Sequence, residues 1–190
     1  ATMAWTRMSA VLSDDGQYRY QLERTWGFGD AVTFVMLNPS TADARKDDPT
    51  IRRCLSYARS WGYDGIRVVN LYALRSSDPK MLKTVADPVG PENDAWIART
   101  LSGSNMVVAA WGELASEERV QEFLQLVPQG MPIHALKTIS KDMPGHPLRL
   151  AADLKPFVWR GGNALSSLDV DGNWLIEEVP DLPLDPIPEI

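Results

Sequence analysis

Three short, nearly continuous apolar runs, each followed at once by polar turn chemistry, restrict this chain more than any other feature. Residues 31–37 (AVTFVML) form the first run and break at Asn38-Pro39-Ser40-Thr41. Residues 66–72 (IRVVNLY) and 106–111 (MVVAAW) form the second and third, and residues 133–136 give a short fourth. A strand covered on both faces has this appearance, because neither set of alternate side chains meets water. Between the runs the period changes to that of a helix. Asp48 is a fitting N-cap with Pro49 at the first helical position, and Ile51, Cys54, Leu55 and Ala58 fall on one face. Gly62 or Gly65 ends that helix. Residues 92–101 and 115–126 read as two more helices, and residues 18–26 alternate as an edge strand does.

Strands alternating with helices imply parallel pairing through right-handed crossovers. The expected fold class is α/β: a three-layer α/β/α sandwich around a central, mostly parallel four-stranded sheet. Ligands of such sheets bind beyond the carboxyl ends of the strands. The polar residues gather at those ends: Asn38 after the first run, Asn70 and Arg75 in and after the second, Trp111-Gly112 after the third, and Lys137 to His146 after the fourth. One rim therefore collects the unusual chemistry.

The 190 residues suit one domain, expected over 1–160, with an acidic, Pro-rich extension over 161–190. Seven of the 25 acids and none of the 19 bases lie in that extension, so the body sits near +1 although the chain carries −6. This is not the basic stripe of a protein that holds duplex DNA mainly through phosphates. Pro180, Pro183, Pro186 and Pro188 prevent a helix at the end, and residues 169–176 suit a small hairpin. No apolar run reaches the roughly 18 residues of a membrane span, and no secretory signal opens the sequence. A single cysteine, Cys54, excludes an internal disulfide and suggests a cytoplasmic location.

Each motif has a functional and a structural reading. Asn38 can hold a water or a base edge, with Pro39, Ser40 and Thr41 beside it; the same residues also make ordinary turns. Asp43 and Asp48 can supply a general base, or can be a solvated carboxylate and a helix cap. Arg53 opens a helix, where a cation is unfavourable unless it meets an anion. His146, stiffened by Pro144 and Pro147, can donate to a leaving group or have no role. Trp111 and Tyr72 can stack on a base or pack on the next helix. Arg75 and Lys137 can touch phosphate, and Asn93 can cap a helix or join a buried network. The two histidines and Cys54 lack the spacing of a zinc site, and no glycine-rich nucleotide loop is present, so no metal or cofactor is expected.

The strings Met36 to Asp43, Asp47 to Cys54, Val69 to Arg75, Pro88 to Asp94, Ala110 to Gly112 and His146 to Leu148 resemble the domain-of-unknown-function family numbered 1643. The order strand–Asn-Pro-Ser, strand–Asn-Leu-Tyr, strand–Trp-Gly, then His-Pro is in addition similar to the uracil-DNA glycosylase superfamily. That resemblance implies hydrolysis of an N-glycosidic bond in a nucleoside or in DNA with a flipped base. It gives Asn38 the water-positioning place, assisted by Asp43 or Asp48, Asn70 the base-reading place, and His146 the stabilisation of the departing base. Two departures accompany it. Asn38 stands where a carboxylate is usual, although some glycosylases use Asn, and Leu148-Arg149 replaces a Ser-rich loop. The alternative expectation is a non-catalytic module for a nucleobase, nucleotide or DNA, of phage or defence biology.

Overall fold

The structure, a computed structural model, describes residues 4–161. The first strand, β1 (Arg7–Leu12), pairs antiparallel with β2 (Arg19–Thr25). Then follow β3 (Ala31–Met36), helix α1 (Pro49–Ser60), β4 (Gly65–Asn70), helix α2 (Asn93–Ser102), β5 (Met106–Ala109), helix α3 (Glu117–Leu126) and β6 (Ile133–Ala135). A two-residue hairpin, β7 (Thr138–Ile139) with β8 (Met143–Pro144), precedes the last described strand, β9 (Phe157–Arg160).

The seven-stranded sheet has the order β1-β2-β4-β3-β5-β6-β9. Its four central strands, β4, β3, β5 and β6, are mutually parallel. These are the four runs expected from sequence, so the mixed α/β architecture with a mostly parallel centre stands. The sheet is larger than the four strands expected, because antiparallel strands extend it on both sides. One expectation is corrected: residues 18–26 do not form an edge. β2 lies between β1 and β4, and most of it is buried. Its charges look solvent-facing in sequence, yet all three are buried, and Glu23 and Arg24 are paired. Arg24 is fully buried, with Nε 2.9 Å from Asp47 and Nη1 2.9 Å from the Glu23 carbonyl. Glu23 meets Arg67 at 3.3 Å and Arg7 at 3.5 Å.

The sheet divides the core in two. Val32, Phe34 and Met36 of β3 pack with Ile51, Cys54, Leu55 and Ala58 of α1 on one face. Val35 and Leu37 pack with Ile97 and Leu101 of α2 and Val120 and Phe123 of α3 on the other. The alternation within a fully buried strand is what gives both faces their apolar layer. Each large side chain so buried contributes about 1.5–3 kcal/mol.

Helix α1 begins and ends as its residues dictate. The Asp48 carboxylate accepts the Ile51 N–H at 2.9 Å, and Pro49 occupies the first turn. At the other end Gly62 takes φ +81°, its N–H meets the Arg59 carbonyl, and the Tyr63 N–H meets that of Ala58. This left-handed stop turns the chain back toward β4. The chain passes from β3 to β4 on one side and then crosses to β5 on the other. The strand order thus reverses at β3, and a crevice opens outside the carboxyl ends there. The hairpin expected over 169–176 lies outside the described residues.

Candidate functional site

A crevice of about 670 Å³ occupies that position. Its lining comes from the loop after β3 (Leu37, Asn38, Ser40), the start of α1 (Asp48, Thr50, Ile51) and the loop after β5 (Trp111 to Leu114). The segment after β6 adds Lys137, Ile139 and Ser140, then Gly145, His146, Leu148, Arg149 and Leu150. Ser76, Ser77 and Pro79 close one side, and Arg19 reaches it from the beginning of β2. Segments that follow all four parallel strands therefore reach the crevice, but neither Asn70 nor Arg75, the residues expected from the second, lines it.

Asn38 is held in one orientation. Its Nδ2 donates to the carbonyls of Ser76 (2.9 Å), Pro39 (3.0 Å) and Leu74 (3.3 Å). Only the amide NH2 can meet carbonyl oxygens, so the side-chain oxygen must point the other way. Among the described residues nothing donates to that oxygen, and the residue is half-buried on the crevice wall. It offers a fixed acceptor.

His146 sits opposite in chemical character. Its Nδ1 accepts the Leu148 N–H at 3.3 Å, which leaves the proton on Nε2. Burial, then the nearby Arg149 cation, pushes its pKa below the ordinary 6.5, against a smaller pull from Asp48. The ring is thus a neutral donor at pH 7. The hairpin β7–β8 delivers it: the Gly145 N–H meets the Lys137 carbonyl at 2.8 Å, and the Gly112 N–H meets the Pro144 carbonyl at 2.8 Å. At the hairpin's apex Lys141 and Asp142 take φ of 57° and 56°. Such left-handed residues cost about 1–2 kcal/mol each. The apex is held down where the Asp142 carbonyl accepts the Trp159 Nε1–H at 3.0 Å and its carboxylate pairs with Arg160.

Gly112 stands against this loop. Its φ is +79°, and a Cβ there would lie 3.4 Å from the His146 Cβ. Trp111 is buried edge-on to Phe123 and Trp159, with one face of its surroundings being the crevice. Its Nε1–H has no hydrogen-bond partner among the described residues.

Asp48 lines the crevice, but one oxygen takes the Ile51 N–H and the other the Ala42 N–H at 3.3 Å. Both are engaged in backbone capping. Asp43 does not line the crevice. Its carboxylate accepts the N–H groups of Arg45 and Lys46, and those bonds hold its pKa below the usual range. Its expected assistance to a water has no geometric basis.

Other expected residues are structural neighbours rather than lining. Pro39 is buried and Thr41 is exposed outside the crevice. Arg53 donates to the Leu150 carbonyl, lies 5.5 Å from the Tyr57 ring centroid and borders a shallow groove beside the crevice. Tyr72 bonds the Ser116 hydroxyl at 3.2 Å. Arg75 reaches the Gly16 carbonyl at 3.3 Å. Asn93 is fully buried and donates to the carbonyls of Asn70 (2.9 Å) and Leu71 (3.2 Å), tying α2 to the end of β4. Asn70 is also buried, and among the described residues neither polar atom of its side chain has a partner; it does not line the crevice.

A family model described as "Protein of unknown function (DUF1643)" matches residues 19–148. The chain belongs to the DUF1643 family. The match begins at Arg19 and ends at Leu148, so it runs from the first crevice residue in the sequence to the His-Pro loop. No curated protein matches the sequence. Arg19 is the DUF1643 residue that sequence reasoning passed over. β2 runs antiparallel to β4, so its first residue lands on the rim where the parallel strands end. Arg19 is 1% exposed, and burial pushes its pKa down to about 10 against the pull of Asp48. It stays charged at pH 7. Nothing in the local string Tyr18-Arg19-Tyr20 marks it.

Proposed function

We propose that the crevice holds a nucleobase-bearing ligand and hydrolyses its N-glycosidic bond, in the manner of the uracil-DNA glycosylases that the motif order resembles. One observation carries the reading. A carbonyl oxygen fixed by three backbone acceptors, on Asn38, and a neutral Nε2–H, on His146, line the same cavity. In the reaction, water oxygen bonds to the anomeric carbon as the carbon–nitrogen bond breaks. The base leaves with the bonding electron pair, and the proton that the attacking water loses on bonding to carbon passes through solvent to the base. Asn38 Oδ1 accepts from the attacking water and orients it. His146 Nε2–H donates to the charge that grows on the base. The neutral imidazole has one donor, and the Leu148 N–H on Nδ1 fixes it at Nε2. Leu148 and Leu114, both about half exposed at the mouth, give apolar contact to whatever carries the base.

The test is incubation of the full chain with uracil-containing and modified oligonucleotides, nucleosides and nucleotides, with free base measured by chromatography. Release from at least one substrate is expected, and Asn38→Ala and His146→Ala each reduce it by about 10²-fold or more. If no base is released from any of them, hydrolysis is wrong.

A second reading has its own support. Both oxygens of Asp48 are taken and Asp43 does not line the crevice, so the Asn38 loop brings no free carboxylate into it. The crevice then acts as a binding module for the same ligands. Calorimetric binding without base release distinguishes it.

A further inference from the structure

Arg19 is a buried cation with too few partners. Among the described residues its guanidinium makes one hydrogen bond, from Nη1 to the Ala42 carbonyl at 2.8 Å, and its Nε is buried with none. The nearest acid is Asp48, whose two oxygens are turned to the Ile51 and Ala42 N–H groups, and no ion pair joins it to Arg19 within 4.0 Å. Elsewhere in the same protein buried arginines are well supplied. Arg24 has Asp47 and the carbonyls of Ser9, Glu23, Asp43 and Lys46, and Arg119 has Asp94, Glu122 and the Leu71 carbonyl. A buried guanidinium left with one carbonyl is costly to the free protein unless something else meets it.

What meets it comes through the crevice, which Arg19 lines. The first turn of α1 faces the same space. Thr50 lines it, and its N–H has no partner inside the helix, being in the first turn. A helix N-terminus and an under-partnered guanidinium together favour an anion with several acceptor oxygens. Lys137 and Arg149 also line the crevice, against Asp48 and Glu113, so cations outnumber acids there in a chain of net charge −6. At 1% exposure Arg19 is within reach only of a group at the buried end of a ligand. The phosphodiester of an internal nucleotide is flanked by chain on both sides and does not enter so far.

We infer that the ligand of this crevice is a free nucleotide whose terminal phosphate is bound by Arg19 and the first turn of α1. This rests on the nucleobase reading above and narrows it from nucleic acid to a mononucleotide.

The experiment measures binding to the full chain by calorimetry. The probes are the five common nucleosides, their 5′-monophosphates, ribose 5-phosphate, and oligonucleotides with the same bases at internal positions. At least one monophosphate is expected to bind tenfold or more tighter than its nucleoside and than the oligonucleotide. Arg19→Met is expected to remove that advantage and leave nucleoside affinity within about twofold. If every monophosphate binds no tighter than its nucleoside, or if the advantage survives Arg19→Met, the inference is wrong. Should that variant fail to fold, the wild-type comparison across probes decides alone. The two readings fail separately. Ribose 5-phosphate binding as tightly as any nucleotide, lost with Arg19, keeps the phosphate site and overturns the nucleobase reading. Nucleosides binding without any phosphate preference do the reverse.

Discussion

Asn38 shows how far a side-chain amide differs from the carboxylate that its resemblance would put in its place. Three carbonyl oxygens surround Nδ2, and a carboxylate there has nothing to donate to them. Asn38→Asp is therefore expected to destabilise the protein at pH 7 by about 1–3 kcal/mol, because three acceptors lose their donor and gain a like-charged neighbour. The folded state raises the pKa of the new carboxyl, so its protonated form regains one donor. Stability of Asn38→Asp should recover as pH falls toward that pKa, whereas Asn38→Ala should not recover. Urea unfolding midpoints at pH 5 and pH 8 read the difference. Equal loss at both pH values would mean that the carbonyl cradle does not hold the side chain as described. The cradle was beyond sequence reasoning, since Leu74 and Ser76 are 36 and 38 residues from Asn38.

The elements that carry the site are short and irregular, and they are coupled where the regular ones end. Gly112 joins β5 to the hairpin that delivers His146. Gly112→Ala meets both a left-handed backbone and the His146 Cβ at 3.4 Å. The expected cost is about 1–2 kcal/mol in thermal or urea unfolding. A larger proportional effect is expected on base release, because relaxing the left-handed backbone moves the Gly112 N–H away from the Pro144 carbonyl that it holds near His146. A variant that keeps full release while losing stability would separate the hairpin from the chemistry. On the other face Arg119 joins three elements: it donates to the Leu71 carbonyl at 2.8 Å after β4, to Asp94 of α2 and to Glu122 of α3. Both acids are about half exposed, so solvent screens those pairs and the carbonyl bond matters most. Arg119→Met is expected to cost about 0.5–1.5 kcal/mol, because the Leu71 carbonyl loses the shorter of its two donors and keeps only Asn93 Nδ2 at 3.2 Å. Asp94→Asn should cost less than half as much. Urea denaturation of both variants checks the ranking.

At the scale of the whole molecule, pH acts through two histidines that fold as neutral rings. His134 is half-buried, with Nδ1 at 3.2 Å from the Val107 carbonyl, and burial pushes its pKa below 6.5. His146 is shifted in the same direction. Each pKa is lower in the folded state than in the unfolded chain, so the unfolded state binds more protons as pH drops. Their contribution is complete above about pH 6.5 and is lost as pH falls through the folded values. Melting temperature should therefore decline between pH 7 and pH 5, before most carboxylates protonate. The double variant His134→Gln with His146→Gln should flatten that interval. An unchanged slope in the double variant would show that neither ring is held neutral by the fold.

No helix among the described residues is long and apolar enough to cross a membrane. The four central strands and three helices were legible before any coordinates, because residues buried on both faces leave long apolar runs and helix starts announce themselves by caps such as Asp48-Pro49. These are local properties: each follows from neighbours in the chain and from the burial that one element experiences. Of the antiparallel extensions, β2 was legible as a strand over 18–26 but not its place inside the sheet, and β1 and β9 were not legible. β1 is short and undistinguished, and β2 hides paired charges that resemble a solvent face. The crevice depended on position in the sheet. Strand order set which ends met, so Arg19 arrived by running antiparallel to its neighbour, and Asn70 ended beneath the surface although its string resembled a base-reading motif. Side-chain roles such as these depend on contacts between distant segments and on exclusion of water, and only the packed sheet brings those about.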